Sequence, residues 1–125
     1  MYHGIIIDQE FKDPSFPKKF KVFAKKQDGS WGIYGVEIED FKFEEMVKKV
    51  QENIKDDQLW YCHFYNDEKL IVVFKDRVFE VKPSSSSWNP IIEYGRKLNI
   101  PEEQLDFWPN RFQDEIHYFA KGDFK

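Results

Sequence analysis

The sequence predicts a single α+β domain over residues 1–125. It is a mostly antiparallel sheet of five or six strands in β-β-β-α-β-β-β-α order, with two main helices packed on one face and a C-terminal tail or short helix. Three observations carry this reading. Short segments rich in β-branched and aromatic residues alternate between turn signals. Two longer segments repeat apolar residues at three- and four-residue spacing instead. The length of 125 residues, 41% hydrophobic and 18% aromatic, matches one domain with a bulky core.

Residues 2–8 contain Ile5-Ile6-Ile7, a β-branched run suited to a strand buried on both faces. Asp13-Pro14-Ser15-Phe16-Pro17 stops regular structure, because proline lacks an N–H and disfavours helix at its predecessor. Residues 20–26 alternate, with Phe20, Val22 and Ala24 on one side and Lys21, Phe23 and Lys25 on the other. Gln27-Asp28-Gly29-Ser30 is a turn with glycine available for positive φ, and residues 31–38 resume the extended pattern. The pair reads as a β-hairpin in which Tyr34, Val36 and Ile38 oppose Ile33 and Gly35. Asp40 can cap the next helix, whose apolar face is Phe43, Met46, Val47, Val50 and Ile54.

Residues 59–65 form a second aromatic strand, with Trp60, Cys62 and Phe64 on one side and Tyr61, His63 and Tyr65 on the other. Asn66-Asp67-Glu68 turns into residues 70–75, apolar on both faces and therefore central. Asp76-Arg77 is a tight turn into residues 78–82, which completes a meander. Ser87 or Asn89 caps a helix with Pro90 in its first turn, and Asn99 terminates it. Residues 101–104 read as a short extra turn, Phe107-Trp108-Pro109 as packing back on the body, and residues 112–119 as helical. The hairpin-then-helix order recurs in both halves, which raises an ancient duplication.

With 19 Lys and Arg against 23 Asp and Glu, the net charge of -4 disfavours a broad phosphate-binding surface. No stretch approaches the roughly 20 apolar residues of a membrane span, and no basic-plus-apolar leader opens the chain. One cysteine excludes an internal disulfide framework. These features together predict a cytoplasmic protein.

His3, His63 and His117 lie far apart, and no His-x-x-x-His or Cys-x-x-Cys pair concentrates metal ligands, so no cofactor is expected. Cys62 and His63 are adjacent, but neighbours on a strand point to opposite faces and cannot form a thiolate–imidazole pair. Glycines 29, 32 and 35 punctuate a hairpin and do not join a strand to a helix, which argues against a phosphate loop.

Ile5-Ile6-Ile7-Asp8-Gln9-Glu10 is an apolar strand ending in Asp-x-Glu. It resembles the first motif of metal-dependent exonucleases, and the resemblance implies that Asp8 and Glu10 hold a divalent metal in a phosphodiester hydrolase. Carboxylates two apart on a strand share a face and can reach one Mg²⁺. The plain alternative is that both solubilise a strand end.

Lys18, Lys19, Lys21, Lys25 and Lys26 interleave with Phe16, Phe20 and Phe23, the pattern of a single-stranded nucleic-acid track. Lysines on an edge strand also prevent edge-to-edge aggregation, and the negative net charge favours that role. The aromatic residues exceed what one small core hides. If both helices cover one sheet face, the other carries Tyr34, Tyr61, His63 and Tyr65, with Trp108 near the tail. The leading expectation is a binding or interaction module contacting an unidentified protein or small molecule through these five residues. Two arrangements are open. Either the tail folds over this face and completes the core, or the face stays bare and makes a homodimer.

Overall fold

The computed structural model describes residues 1–56 and 60–125. Six strands of the described residues form one sheet: β1 (Tyr2–Ile7), β2 (Lys21–Asp28), β3 (Trp31–Ile38), β4 (Tyr61–Tyr65), β5 (Leu70–Phe74) and β6 (Val78–Val81). Among the described residues three helices accompany them: α1 (Phe43–Asn53), α2 (Asn89–Lys97) and the single turn α3 (Glu115–Tyr118). The start of the fourth strand, expected at Leu59, lies outside the described residues. Among the described residues no helix is long and apolar enough to cross a membrane.

The strand order is β2-β3-β1-β4-β5-β6, and every neighbouring pair is antiparallel. The N-terminal strand is thus inserted between the hairpin and the meander. Its partners are Ile38 to Ile33 on one side and Tyr65 to His63 on the other. A strand so enclosed needs apolar residues on both faces, as the isoleucine run supplies. Because β3 and β4 are both antiparallel to β1, they run parallel to each other. A parallel pair needs a crossover connection, and α1 provides it. The halves therefore differ in connectivity, which speaks against the duplication.

The two main helices lie on opposite faces of the sheet, and not on the one face expected. On one side, Phe43, Val47 and Val50 of α1 pack on Tyr2, Ile6, Tyr34, Val36, Cys62, Phe64, Ile71 and Val73. On the other, Ile91 of α2 packs with Ile5, Ile33, Tyr65, Leu70, Val72 and Phe74, joined by Leu105, Phe107 and Phe119. The reason is the crossover. Once α1 occupies one face, the apolar residues of alternate parity on β1, β4 and β5 need a second cover. Residues 88–119 supply it.

Local corrections follow the same logic. A bulge between Val22 and Ala24 breaks the alternation of β2, so Val22 packs on the α1 side and Ala24 on the α2 side. Asp40 does not cap α1: it opens the 3-10 turn Asp40–Lys42 and pairs with the N-terminal ammonium of Met1. Neither Ser87 nor Asn89 is the N-cap of α2, a position held by Trp88 without a side-chain cap. Other turn chemistry is as read: Gly29 sits at φ 58° and Asn99 at φ 62°. Cys62 is buried on the α1 side, back to back with His63, and desolvation pushes its thiol well above its ordinary pKa.

Candidate functional site

The geometry of β1 opens a cleft at one end of the sheet. Ile7, its last residue, pairs with Ile33, and the chain then leaves the sheet in the 3-10 turn Asp8–Glu10. β3 and β4 flank β1, and their N-terminal ends project past the point where it departs. Trp31 opens β3 and Trp60 immediately precedes β4. With no strand between them, their rings meet edge to face at 5.9 Å between centroids. The C-terminal segment borders this gap on the α2 side and turns it into a cleft of about 420 Å³.

Five aromatic side chains line the cleft: Trp31, Trp60, Tyr61, Trp108 and Tyr118. Trp31 and Trp108 are 38% and 39% exposed, so two large rings stand at its mouth in contact with water. Among the described residues four carboxyl groups line it as well: Glu10, Asp28, Glu103 and Asp106. Among the described residues no lysine or arginine lines it. Lys26 approaches Tyr118 from β2, its ammonium 3.6 Å from the ring centroid and its Nζ donating to the Tyr118 carbonyl at 3.0 Å.

Glu10 is the most constrained of these acids. It is 3% exposed, and its carboxylate accepts one long hydrogen bond, 3.4 Å from the Ile7 N–H. Burial, reinforced by the neighbouring Asp8, pushes its pKa well above the usual carboxylate range. The Trp60 indole N–H is buried with no hydrogen-bond partner among the described residues. Desolvation raises Tyr61, helped by Glu10 and Asp106, and lifts Tyr118 to about 12, helped by Asp28. The Tyr61 hydroxyl donates to the Gln104 carbonyl and ties the sheet to the cleft's outer wall.

The expected site residues divide between three environments. Tyr61, His63 and Trp108 line the cleft. Tyr65 does not: it is fully buried, with its hydroxyl donating to Glu115 at 2.5 Å. Tyr34 is on the opposite face among the α1 residues, with the Lys25 ammonium 4.9 Å from its ring centroid. Its register partner Ile6 fixes that side. His63 is buried and bonded through Nε2 to the Pro109 carbonyl at 2.7 Å. Desolvation lowers its pKa to about 4. The bare aromatic face that a homodimer would need is covered, since Leu105, Phe107 and Phe119 are buried against it.

The acidic pair is also rearranged. Asp8 and Glu10 sit on a 3-10 turn, so they do not share a strand face. Asp8 Oδ1 accepts the Gly32 N–H at 3.1 Å, while Glu10 is turned to the cleft. Among the described residues no three His, Cys, Asp or Glu side chains are gathered to hold a metal ion. The basic strand lacks free stacking platforms: Phe16 and Phe20 are buried, and Phe23 stacks on His3 at 4.4 Å.

Trp31, Trp60, Asp28, Asp106 and Tyr118 belong to the cleft although nothing in the sequence marks them as a site. Their only shared property in sequence is a position at or just beyond an element end. What brings them together is the central placement of β1. No family model matches this chain, and comparison with curated proteins and with solved structures likewise found no match.

Proposed function

We propose that this protein is a small binding module whose ligand site is the cleft beyond the end of β1. The observation that supports it is the concentration of exposed aromatic surface. Three of the four tryptophans line this one hollow, two of them more than a third exposed. Large rings left in water cost free energy unless something covers them, and aromatics are enriched where ligands dock. The volume falls in the range of about 300–1,000 Å³ common for small-molecule sites. With residues 105–119 over Tyr61, His63 and Tyr65, the aromatic residues of the cleft are assigned to a small ligand and not to a second copy of the chain.

Among the described residues the cleft has binding groups and no nucleophile–base pair. Among the described residues Cys62 and the histidines make no such contact, so the role proposed is recognition without bond chemistry. The test is a fragment set spanning neutral, anionic and cationic head groups, read by the indole N–H signals of the four tryptophans. Trp88 serves as the internal reference, because its indole donates to the Lys82 carbonyl and its ring meets Phe107 edge to face at 5.2 Å, away from the cleft lining. The expected result is that some fragments shift Trp31, Trp60 and Trp108 and leave Trp88 in place. A set in which no fragment moves these three signals at millimolar concentration overturns the reading.

A further inference from the structure

We infer that the cleft takes a small organic cation, one whose charge is carried by an alkylated ammonium group. This rests on the cleft being the ligand site and specifies the chemistry of its occupant.

Charge complementarity sets the sign. Glu10, Asp28, Glu103 and Asp106 converge on one hollow from four separate segments, and among the described residues no lysine or arginine lines it. An anion would meet the exposed Asp28, Glu103 and Asp106 side chains, and the nearby Lys26 ammonium is engaged by the Tyr118 ring and carbonyl. Glu10 adds an independent pointer. Its carboxylate is buried, faces the cleft and has one hydrogen bond at 3.4 Å, so most of its acceptor capacity is unused among the described residues.

The aromatic lining then selects the kind of cation. The acids are too dispersed to coordinate a bare metal ion, as no three of them are gathered for it among the described residues. Tryptophan and tyrosine faces attract a cation through their quadrupole, and they do so best when the cation is large and weakly hydrated. An alkylated ammonium needs no hydrogen-bond acceptors for its methyl groups and offers apolar surface to Trp31, Trp108, Ile5 and Ile7. A residue of the cleft already makes this interaction: the Lys26 ammonium lies 3.6 Å from the Tyr118 ring centroid. That occupies Tyr118 from β2 and leaves the tryptophans for a ligand.

The experiment is a paired titration of the whole chain with choline and with 3,3-dimethyl-1-butanol, its uncharged carbon isostere. The readout is again the indole N–H signals. Choline is expected to shift Trp31 and Trp108 and to bind about tenfold more tightly than the alcohol. Raising salt should weaken choline several-fold and leave the alcohol unchanged. Trp108→Leu, at a position 39% exposed, should reduce choline binding about tenfold as followed on Trp31. Asp106→Asn should weaken choline and not the alcohol.

Equal affinity for the two compounds overturns the cation and leaves the cleft as a ligand site. The cation is overturned in the same way if choline fails while neutral or anionic fragments move the cleft tryptophans. If no compound of any charge moves them, both readings fall together.

Discussion

The Tyr65 hydroxyl on β4 donates to Glu115 Oε2 on α3 at 2.5 Å, and His3 Nδ1 on β1 reaches the same oxygen at 2.6 Å. One carboxylate therefore fastens the C-terminal segment to two central strands. His3 is itself held between Phe23, stacked at 4.4 Å, and Phe112, edge-on at 4.6 Å. This clamp keeps residues 112–119 on the face that Tyr61, His63 and Tyr65 would otherwise expose. It also sets the wall that carries Tyr118.

Removing the shared acceptor strips the partner from the buried Tyr65 hydroxyl and from the half-buried His3 Nδ1, so Glu115→Ala is expected to cost about 3 kcal/mol. Tyr65→Phe removes one donor and leaves the His3 contact intact, so it should cost about 1 kcal/mol. Urea denaturation with an unchanged slope measures both. A Glu115→Ala variant within about 0.5 kcal/mol of the parent would mean the clamp contributes nothing.

Much of the fold is legible in the sequence because its signals are local. The isoleucine run of β1, the Gly29 turn, the Phe43-Val47-Val50 stripe and the Asn99 stop each depend on a few neighbouring residues, and each is where the periodicity puts it. Side-chain parity on β4 is equally local, so Tyr61, His63 and Tyr65 share a face opposite Cys62 and Phe64. Strand order is not local. Parity says which residues of one strand go together and nothing about how two strands' faces match. Parity alone therefore groups Tyr34 with Tyr61, whereas its pairing with Ile6 places it on the other face. The cleft escapes for the same reason. Trp31 and Trp60 are neighbours only because β1 lies between β3 and β4 and ends before they do.

His63 gives the stability a pH dependence of definite sign. Desolvation lowers its pKa from 6.5 to about 4, so the folded state favours the neutral ring, which donates to the Pro109 carbonyl. For a depressed folded pKa, the contribution is present above the unfolded value and is lost as pH falls through the folded one. Stability should drop between pH 6.5 and about 4, by at most about 3 kcal/mol from this group. His63→Gln keeps a donor and removes the titration. Denaturation midpoints across that window should slope for the parent and flatten for the variant. Parallel slopes would show that His63 does not titrate differently on folding.

Glu10 acts with the opposite sign in an overlapping window. Its folded pKa is raised above 4.5 by burial and by Asp8. Its contribution is therefore full below the unfolded value and is lost as pH rises through the folded one. Glu10→Gln keeps the shape without the charge and should be more stable than the parent at about pH 8 by about 1 kcal/mol or more. The gain should vanish near about pH 4, where both side chains are neutral. A gain that persists unchanged at that acidic pH would assign the effect to packing and not to ionisation. Measuring His63→Gln and Glu10→Gln separately is necessary, since in the parent the two trends partly cancel near about pH 5.

The strictest packing constraint is at Gly4, in the middle of the central strand and paired with Val36 and Phe64. A Cβ placed there would lie 2.1 Å from Phe64 Cδ1 and 2.5 Å from Cε1. A flexible side-chain end could yield, but Phe64 is fully buried and set edge-on to Phe43 at 5.7 Å. Phe43 in turn stacks on Tyr2 at 3.8 Å, so the ring's neighbour is itself held by packing. Relieving the overlap means shifting α1 or opening the β1–β4 pairing, and β1 is the strand that holds the two halves of the sheet together. Gly4→Ala is therefore expected to destabilise by about 3 kcal/mol, at the upper end for overpacking by one methyl group. The companion Gly4→Ala/Phe64→Leu removes the obstructing ring and should recover part of that loss despite shrinking the core. Midpoints from urea denaturation decide it: a double variant no more stable than Gly4→Ala alone would place the strain in the backbone rather than in the Phe64 contact.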